Sequence, residues 1–299
     1  MSSPVSGRPV RIGLLGFFTA DTAGVPDVAR LAEARGVESL WAPEHSHIPV
    51  VYTSPTPTGF TLPDYYKRLF DPFLVLTAAA VVTTRLRLGT GIALVANHDP
   101  IILAKQIATL DRISGGRFLL GVGAGWNREE IENHGVEFDT RWRRAVEHLE
   151  AMRAIWTQDE ASFAGKWVNF DRIWSWPKPV QQPHPPILLG TLQPSALVIR
   201  HADGWLPLSV SHPGQLTERI ATLRARAEEA GRDPAGIEVT VFSLERTTAE
   251  TVAEYAEMGA DRIVLRPRIG SLEEFSAFLD IYAGLLQPVP SKLSDDREA

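Results

Sequence analysis

Residues 85–127, RLRLGTGIALVANHDPIILAKQIATLDRISGGRFLLGVGAGWN, decide the fold. Leu86, Leu88 and Ile92 mark a short apolar strand interrupted by Gly89 and Gly91. Pro100 opens a helix whose apolar positions Ile102, Ile107, Leu110 and Ile113 follow helical spacing, and Ser114-Gly115-Gly116 stops it. Phe118 to Val122 reads as a second buried strand, followed at once by Gly123 and Gly125, where the chain must turn tightly or let something approach its backbone. Strand, helix, strand and glycine turn in succession define a βα unit, and the glycine end of such a unit is where α/β proteins place ligands.

The same rhythm extends in both directions. Upstream, Val10 to Phe17 is a strand, Val25 to Arg35 a helix, Ser39 to Trp41 a strand and Pro72 to Thr83 a helix. Downstream, an amphipathic stretch carries Trp142, Val146, Leu149, Met152 and Ile155 on one face. Strands at Ile187–Gly190, Gly204–Leu206, Ile237–Phe242 and Arg262–Leu265 then alternate with helices at 194, 213–230, 249–258 and 272–285. Eight βα units with right-handed crossovers close most simply as an α/β (β/α)8 TIM barrel. An open doubly wound sheet would want a GxGxxG turn after the first strand, and Gly13, Gly16 and Phe17 do not supply it. Two stretches break the rhythm and are expected as insertions at the C-terminal face: the proline-rich loop 43–71 and the aromatic segment 158–186, which suits a hairpin. Residues 1–287 are thus expected to form one domain, with 288–299 a disordered tail.

Composition narrows the function. A net charge of −6 offers no footprint for nucleic acid, and no apolar run is long enough to span a membrane. The absence of cysteine excludes disulfides, thiolate nucleophiles and sulfur-ligated metals. The opening residues lack the apolar core of a secretory signal, so the cytoplasm is the expected compartment.

Barrels carry their chemistry at the C-terminal ends of the strands. Here those ends are apolar and glycine-rich, which suits a large, flat ligand held by backbone groups and a small-molecule substrate beside it. Glu44-His45 is the most reactive-looking pair, a carboxylate placed to orient a neighbouring imidazole; the plain alternative is that both satisfy loop backbone groups. His45-Ser46-His47 has the alternate spacing of some barrel metal sites, but no second ligand set appears at later strand ends, so no metal is expected. Gly125-Trp126-Asn127 and Gly190-Thr191-Leu192 form glycine turns, the second preceding a helix at whose start Ser195 stands, a place for a phosphate. Arg266 ends the last strand, where barrels often bind phosphate, although a structural ion pair serves equally well. Trp41, Trp126 and Trp205 stand at strand ends and can wall an aromatic cofactor or pack the core.

Five stretches together resemble the bacterial luciferase-like family of flavin and deazaflavin oxidoreductases: Ser39 to His45, Leu88 to Ile92, Ala104 to Asp111, Ser114 to Phe118 and Leu120 to Trp126. Ala202-Asp203-Gly204-Trp205 extends the likeness across nearly the whole chain, and Gly125 to Glu130 looks most like the branch that uses coenzyme F420. The resemblance implies an isoalloxazine-type ring at the strand ends beside Glu44-His45, and a homodimer. It also implies a non-proline cis peptide at Gly91-Ile92, in a bulge with Ala93 and Leu94 that supports the ring, and cofactor contacts near Gly125 and Gly190. Trp126 stands where F420 enzymes often carry a catalytic carboxylate.

On that reading hydride passes between F420 and a small organic substrate, with His45 or Glu44 as the acid. The FMN version would use reduced flavin to activate dioxygen, and a third reading is a cofactor-binding protein without turnover. A barrel aldolase or isomerase would want a lysine or carboxylate pair in the mouth, whereas Lys105 lies within a helix.

Overall fold

The computed structural model describes residues 10–56, 59, 61–207, 214–243 and 247–286. The expected tail at 288–299 lies outside them. Eight parallel strands close into a barrel: β1 (Arg11–Leu15), β2 (Ser39–Ala42), β3 (Arg87–Thr90), β4 (Phe118–Val122), β7 (Ile187–Thr191), β8 (Gly204–Pro207), β9 (Glu238–Phe242) and β10 (Arg262–Leu265). Around the ring they run β1-β10-β9-β8-β7-β4-β3-β2, so β10 lies diametrically across from β4. The helices are α1 (Val25–Ala34), α2 (Pro72–Ala80), α3 (Pro100–Ser114), α4 (Arg128–Asn133), α5 (Arg141–Thr157), α6 (Ala196–His201), α7 (Gly214–Glu229), α8 (Ala249–Glu257) and α9 (Leu272–Ile281). Among the described residues no helix is long and apolar enough to cross a membrane.

Helix α3 shows how local chemistry sets these boundaries. Asp99 accepts hydrogen bonds from the Ile101 and Ile102 amides at 3.0 and 2.9 Å, Pro100 occupies the first turn, and Gly115 ends the helix at φ 66°. Its buried face is Leu103, Ala104, Ile107, Ala108 and Leu110. Ile102 and Ile113, read from the sequence as part of that face, point outward instead, 60% and 45% exposed.

The barrel interior is filled by Leu15, Trp41, Leu119, Leu188, Leu206, Phe242 and Val264. Trp41 is wholly buried there, with its indole N–H donated to Ser39 Oγ at 2.8 Å and its ring edge-on to Phe242. Glycine on the adjacent strand makes the room: a Cβ at Gly89 would lie 2.3 Å from the indole. Trp41 is therefore a core plug rather than the cofactor wall expected from its strand-end position. Trp205 is likewise fully buried, bonded to Thr191.

The two insertions lie in different places. The described parts of segment 43–71 cross the C-terminal face as a strap, with Tyr52, Tyr65 and Tyr66 against Trp126, Phe17 and His45. Segment 158–186, expected at the same face, instead runs down the outer wall. There β5 (Ala161–Ala164) and β6 (Asn169–Ile173) form an antiparallel hairpin. Glu147 of α5 accepts the Trp167 and Val168 amides of that hairpin, and Asp111 of α3 accepts those of Val180 and Gln181. The segment thus covers α3 and α5 rather than shaping the mouth.

Candidate active site

The mouth is built on a ledge after β3. The Gly91-Ile92 peptide is cis. Three bonds lock the segment to its neighbours: the Gly91 amide to Ala42 O, the Ala93 amide to Gly121 O and the Gly123 amide to Ala93 O, at 2.8, 2.8 and 3.0 Å. Close approach requires glycine on both sides: a Cβ at Gly121 would lie 2.0 Å from Thr90 O, and one at Gly123 2.0 Å from Ile92 Cδ1. Ile92 packs on the inner cluster and remains partly exposed, so it forms the face of the ledge. Ala93 and Leu94, expected to touch cofactor, are 0% and 4% exposed with their amides already committed. They support the ledge from behind.

Glu44 and His45 do not pair with each other. Glu44, 7% exposed, accepts the Leu94 amide at 2.6 Å through Oε2 and bonds His98 Nε2 at 2.5 Å through Oε1. His45 Nδ1 lies 2.7 Å from Glu130 Oε2, while Glu130 Oε1 accepts the Ser46 amide at 3.1 Å. The reason is geometric: successive side chains in extended backbone point to opposite sides. Two crossed acid–imidazole pairs result, drawn from three segments: the end of β2, the loop after β3 and α4. Burial would push His98 down, but its hydrogen bond and attraction to Glu44, with Asp71 adding, hold it above the ordinary histidine value. His98 and Glu130 were not anticipated from the sequence. The available signal for Glu130 was its place three residues after the cap Asn127, at the start of the helix leaving the β4 glycine turn.

Around His45 runs a row of rings. Its imidazole lies 5.5 Å from Tyr66 and 5.8 Å from Trp126, and Tyr52 meets Trp126 at 6.1 Å. On the other side Tyr66 and Tyr65 stack at 5.2 Å, and both contact Phe17 at the end of β1. The strap that brings Tyr52, Tyr65 and Tyr66 here is tied down at each end. Glu129 accepts bonds from the Thr53 amide and hydroxyl and the Ser54 hydroxyl, and these hold its carboxyl down at about 2. Arg68 pairs with Asp21 and Asp64. Burial raises the Tyr66 phenol to about 12, so it stays protonated.

The remaining expected residues divide. Trp126 is half-buried at the mouth, and Gly125 takes φ 80°, where a Cβ would crowd Ile131 at 2.9 Å. Asn127 is 1% exposed and caps α4 through Oδ1; its Nδ2 has no partner among the described residues. Gly190 is buried in β7, and Thr191 Oγ1 is spent on Gln193 O and the Trp205 indole. Leu192 is 56% exposed, and Ser195 precedes a six-residue helix with its Oγ buried and unpartnered. Arg266 lies across the mouth, 4.7 Å over Phe17 and bonded to the Tyr65 hydroxyl. No group of three or more metal-binding side chains exists among the described residues.

The site's observed features accommodate an isoalloxazine-type ring: an apolar ledge at Ile92 made possible by Gly121 and Gly123, aromatic walls, and an imidazole beside them. An uncharacterized protein of Mycobacterium tuberculosis (strain ATCC 25618 / H37Rv) is 41% identical over 276 residues, 90% of this chain and 96% of the relative. An FMNH(2)-dependent dimethylsulfone monooxygenase of Pseudomonas putida is 35% identical over 157 residues, 51% of this chain and 43% of that enzyme. In fold, an F420-dependent secondary alcohol dehydrogenase bound to an F420-acetone adduct superposes with a TM-score of 0.73 at 19% identity, covering 93% of this chain and 98% of that one. The family model for luciferase-like monooxygenases matches residues 10–282, and the chain belongs to that family.

Proposed function

We propose that the protein is a cytoplasmic F420-dependent oxidoreductase that moves a hydride between the deazaflavin and a small organic substrate. The observation that carries this reading is the His45–Glu130 pair set beside the Ile92 ledge. Ile92 would support the ring, and the turn at Gly125-Trp126 would meet the rest of the cofactor. When bound, the cofactor supplies a hydride donor or acceptor at ring C5.

The chain's own residues then handle the proton. Glu130 accepts the Nδ1 proton of His45 and fixes the ring's orientation, leaving Nε2 to give a proton to, or take one from, the substrate oxygen or nitrogen. Glu44 is a positioning residue: it ties the end of β2 to the ledge through the Leu94 amide and to His98. Tyr66 and Trp126 flank the imidazole and keep water from it. The FMN reading keeps a specific support, the 35% identity to an FMNH(2)-dependent monooxygenase over half the chain. Visible absorbance of the purified protein titrated with F420 and with FMN separates the two. Tight binding of F420 supports the proposal, preferential FMN binding with substrate-dependent oxygen uptake favours the alternative, and binding of neither refutes both.

We also propose that two copies pair through the outward faces of α2 and α3. Leu74 and Val81 on and just after α2 are 72% and 66% exposed, beside the exposed Ile102 and Ile113 of α3. Light scattering should give twice the chain mass, falling to one chain mass in a Leu74→Glu/Ile102→Glu variant.

A further inference from the structure

A cavity of about 1190 Å³ opens between the ends of β1 and β10, the strap and α9. Arg266 stands at its inner side with its guanidinium carbon 4.7 Å from the Phe17 ring and 5.8 Å from the Tyr65 ring. One N–H is donated to the Tyr65 hydroxyl. A guanidinium has five N–H donors, and among the described residues no carboxylate pairs with Arg266 or with Arg268, which also lines the cavity. Arg68, on the same wall, is by contrast neutralised by Asp21 and Asp64. The rest of the lining includes Ile269, Phe278 and Tyr282, with Glu274 on the α9 side. A guanidinium lying over Phe17 with one N–H on the Tyr65 hydroxyl and no carboxylate partner among the described residues keeps donors for a carboxylate or phosphate.

Topology indicates whose anion it takes. The glycine turn that suits a cofactor tail, at Gly125, follows β4, and β10 is directly opposite β4 in the ring of strands. Arg266 is therefore at the far end of the mouth from that turn. It connects to His45 by successive contacts: 4.7 Å to Phe17, then 5.5 Å from Phe17 to Tyr66, and 5.5 Å from Tyr66 to His45. We propose that Arg266 binds the anionic end of the substrate, an organic acid with a flat apolar body lying along Phe17 and Tyr66 so that its reacting atom reaches His45. This assignment rests on the proposed oxidoreductase reading and replaces the expected role of Arg266 in cofactor binding.

The test uses the full chain and its Arg266→Gln variant, an exposed change that leaves the core untouched. Calorimetric titrations with phenylacetate, its neutral counterpart 2-phenylethanol, FMN and riboflavin read the two possible anions separately. Phenylacetate should bind the parent about tenfold or more tighter than 2-phenylethanol, and Arg266→Gln should erase that difference while leaving FMN and riboflavin affinities unchanged. Unchanged phenylacetate affinity in the variant, or no preference for the acid in the parent, would overturn the proposal. A variant that loses FMN affinity but keeps riboflavin affinity would assign the anion to the cofactor and overturn it too. Failure of the parent to bind F420 or FMN in the absorbance titration strikes the oxidoreductase reading instead, since the phenylacetate comparison is read independently.

Discussion

The floor and the mouth of this barrel solve the problem of buried charge in opposite ways. At the floor Arg262, 0% exposed, lies among Glu38, Glu238 and Thr240, with Arg11 bridging both carboxylates. Burial pushes Arg262 down and the carboxylates up, but their mutual hydrogen bonds and attraction win, raising the arginine and lowering Glu38 and Glu238. At the mouth the charges come in smaller sets with an edge left open. His45 pairs through Nδ1, Asn127 Nδ2 lacks a partner among the described residues, and Arg266 has no carboxylate partner among them. A closed network holds the barrel together at the floor, and on the proposed reading a ligand completes the open one at the mouth.

Mutation at each end breaks this contrast differently. His45→Ala should lower kcat by about 10²- to 10⁴-fold while leaving cofactor affinity and the unfolding midpoint near those of the parent. Equal losses in turnover and cofactor binding would make His45 a binding residue instead. Arg262→Met should do the reverse, costing about 3–5 kcal/mol in urea unfolding because Glu38 and Glu238 lose their partner in the interior, without altering the cofactor affinity of the folded fraction. Glu44→Gln sharpens the comparison within the mouth. His98 should titrate above 6.5 in the parent and below it in the variant, where burial acts without the carboxylate, as followed by NMR of the imidazole. The His98–Glu44 pair contributes its full stability below about 6.5, and that contribution is lost as pH rises through the folded value, so hydrogen exchange at 91–97 should quicken in that window.

Much of the barrel was legible because its strands are short apolar runs and its helices carry their own stops. Asp99-Pro100 and Gly115 mark α3 within the chain itself. What periodicity could not tell was which apolar residues of α3 meet the barrel: Ile102 and Ile113 satisfy the helical spacing yet face outward. Trp41 misleads for a related reason, since alternation along β2 turns it into the interior although it stands near the strand end. The site was legible as a location and not as a set of partners. Glu44 finds a histidine 54 residues away, and His45 finds a glutamate 85 residues away. Such pairs are made by barrel closure, and adjacency in sequence points to the wrong one.

The central claim is that the mouth, and not the floor, receives the cofactor beside His45. Hydrogen exchange of the full chain with and without F420 tests it directly. Protection should rise at 44–46, 91–97 and 123–130 and stay unchanged at Arg11, Glu38, Glu238 and Arg262. Protection that is absent at the mouth, or that gathers elsewhere on the barrel, would contradict it.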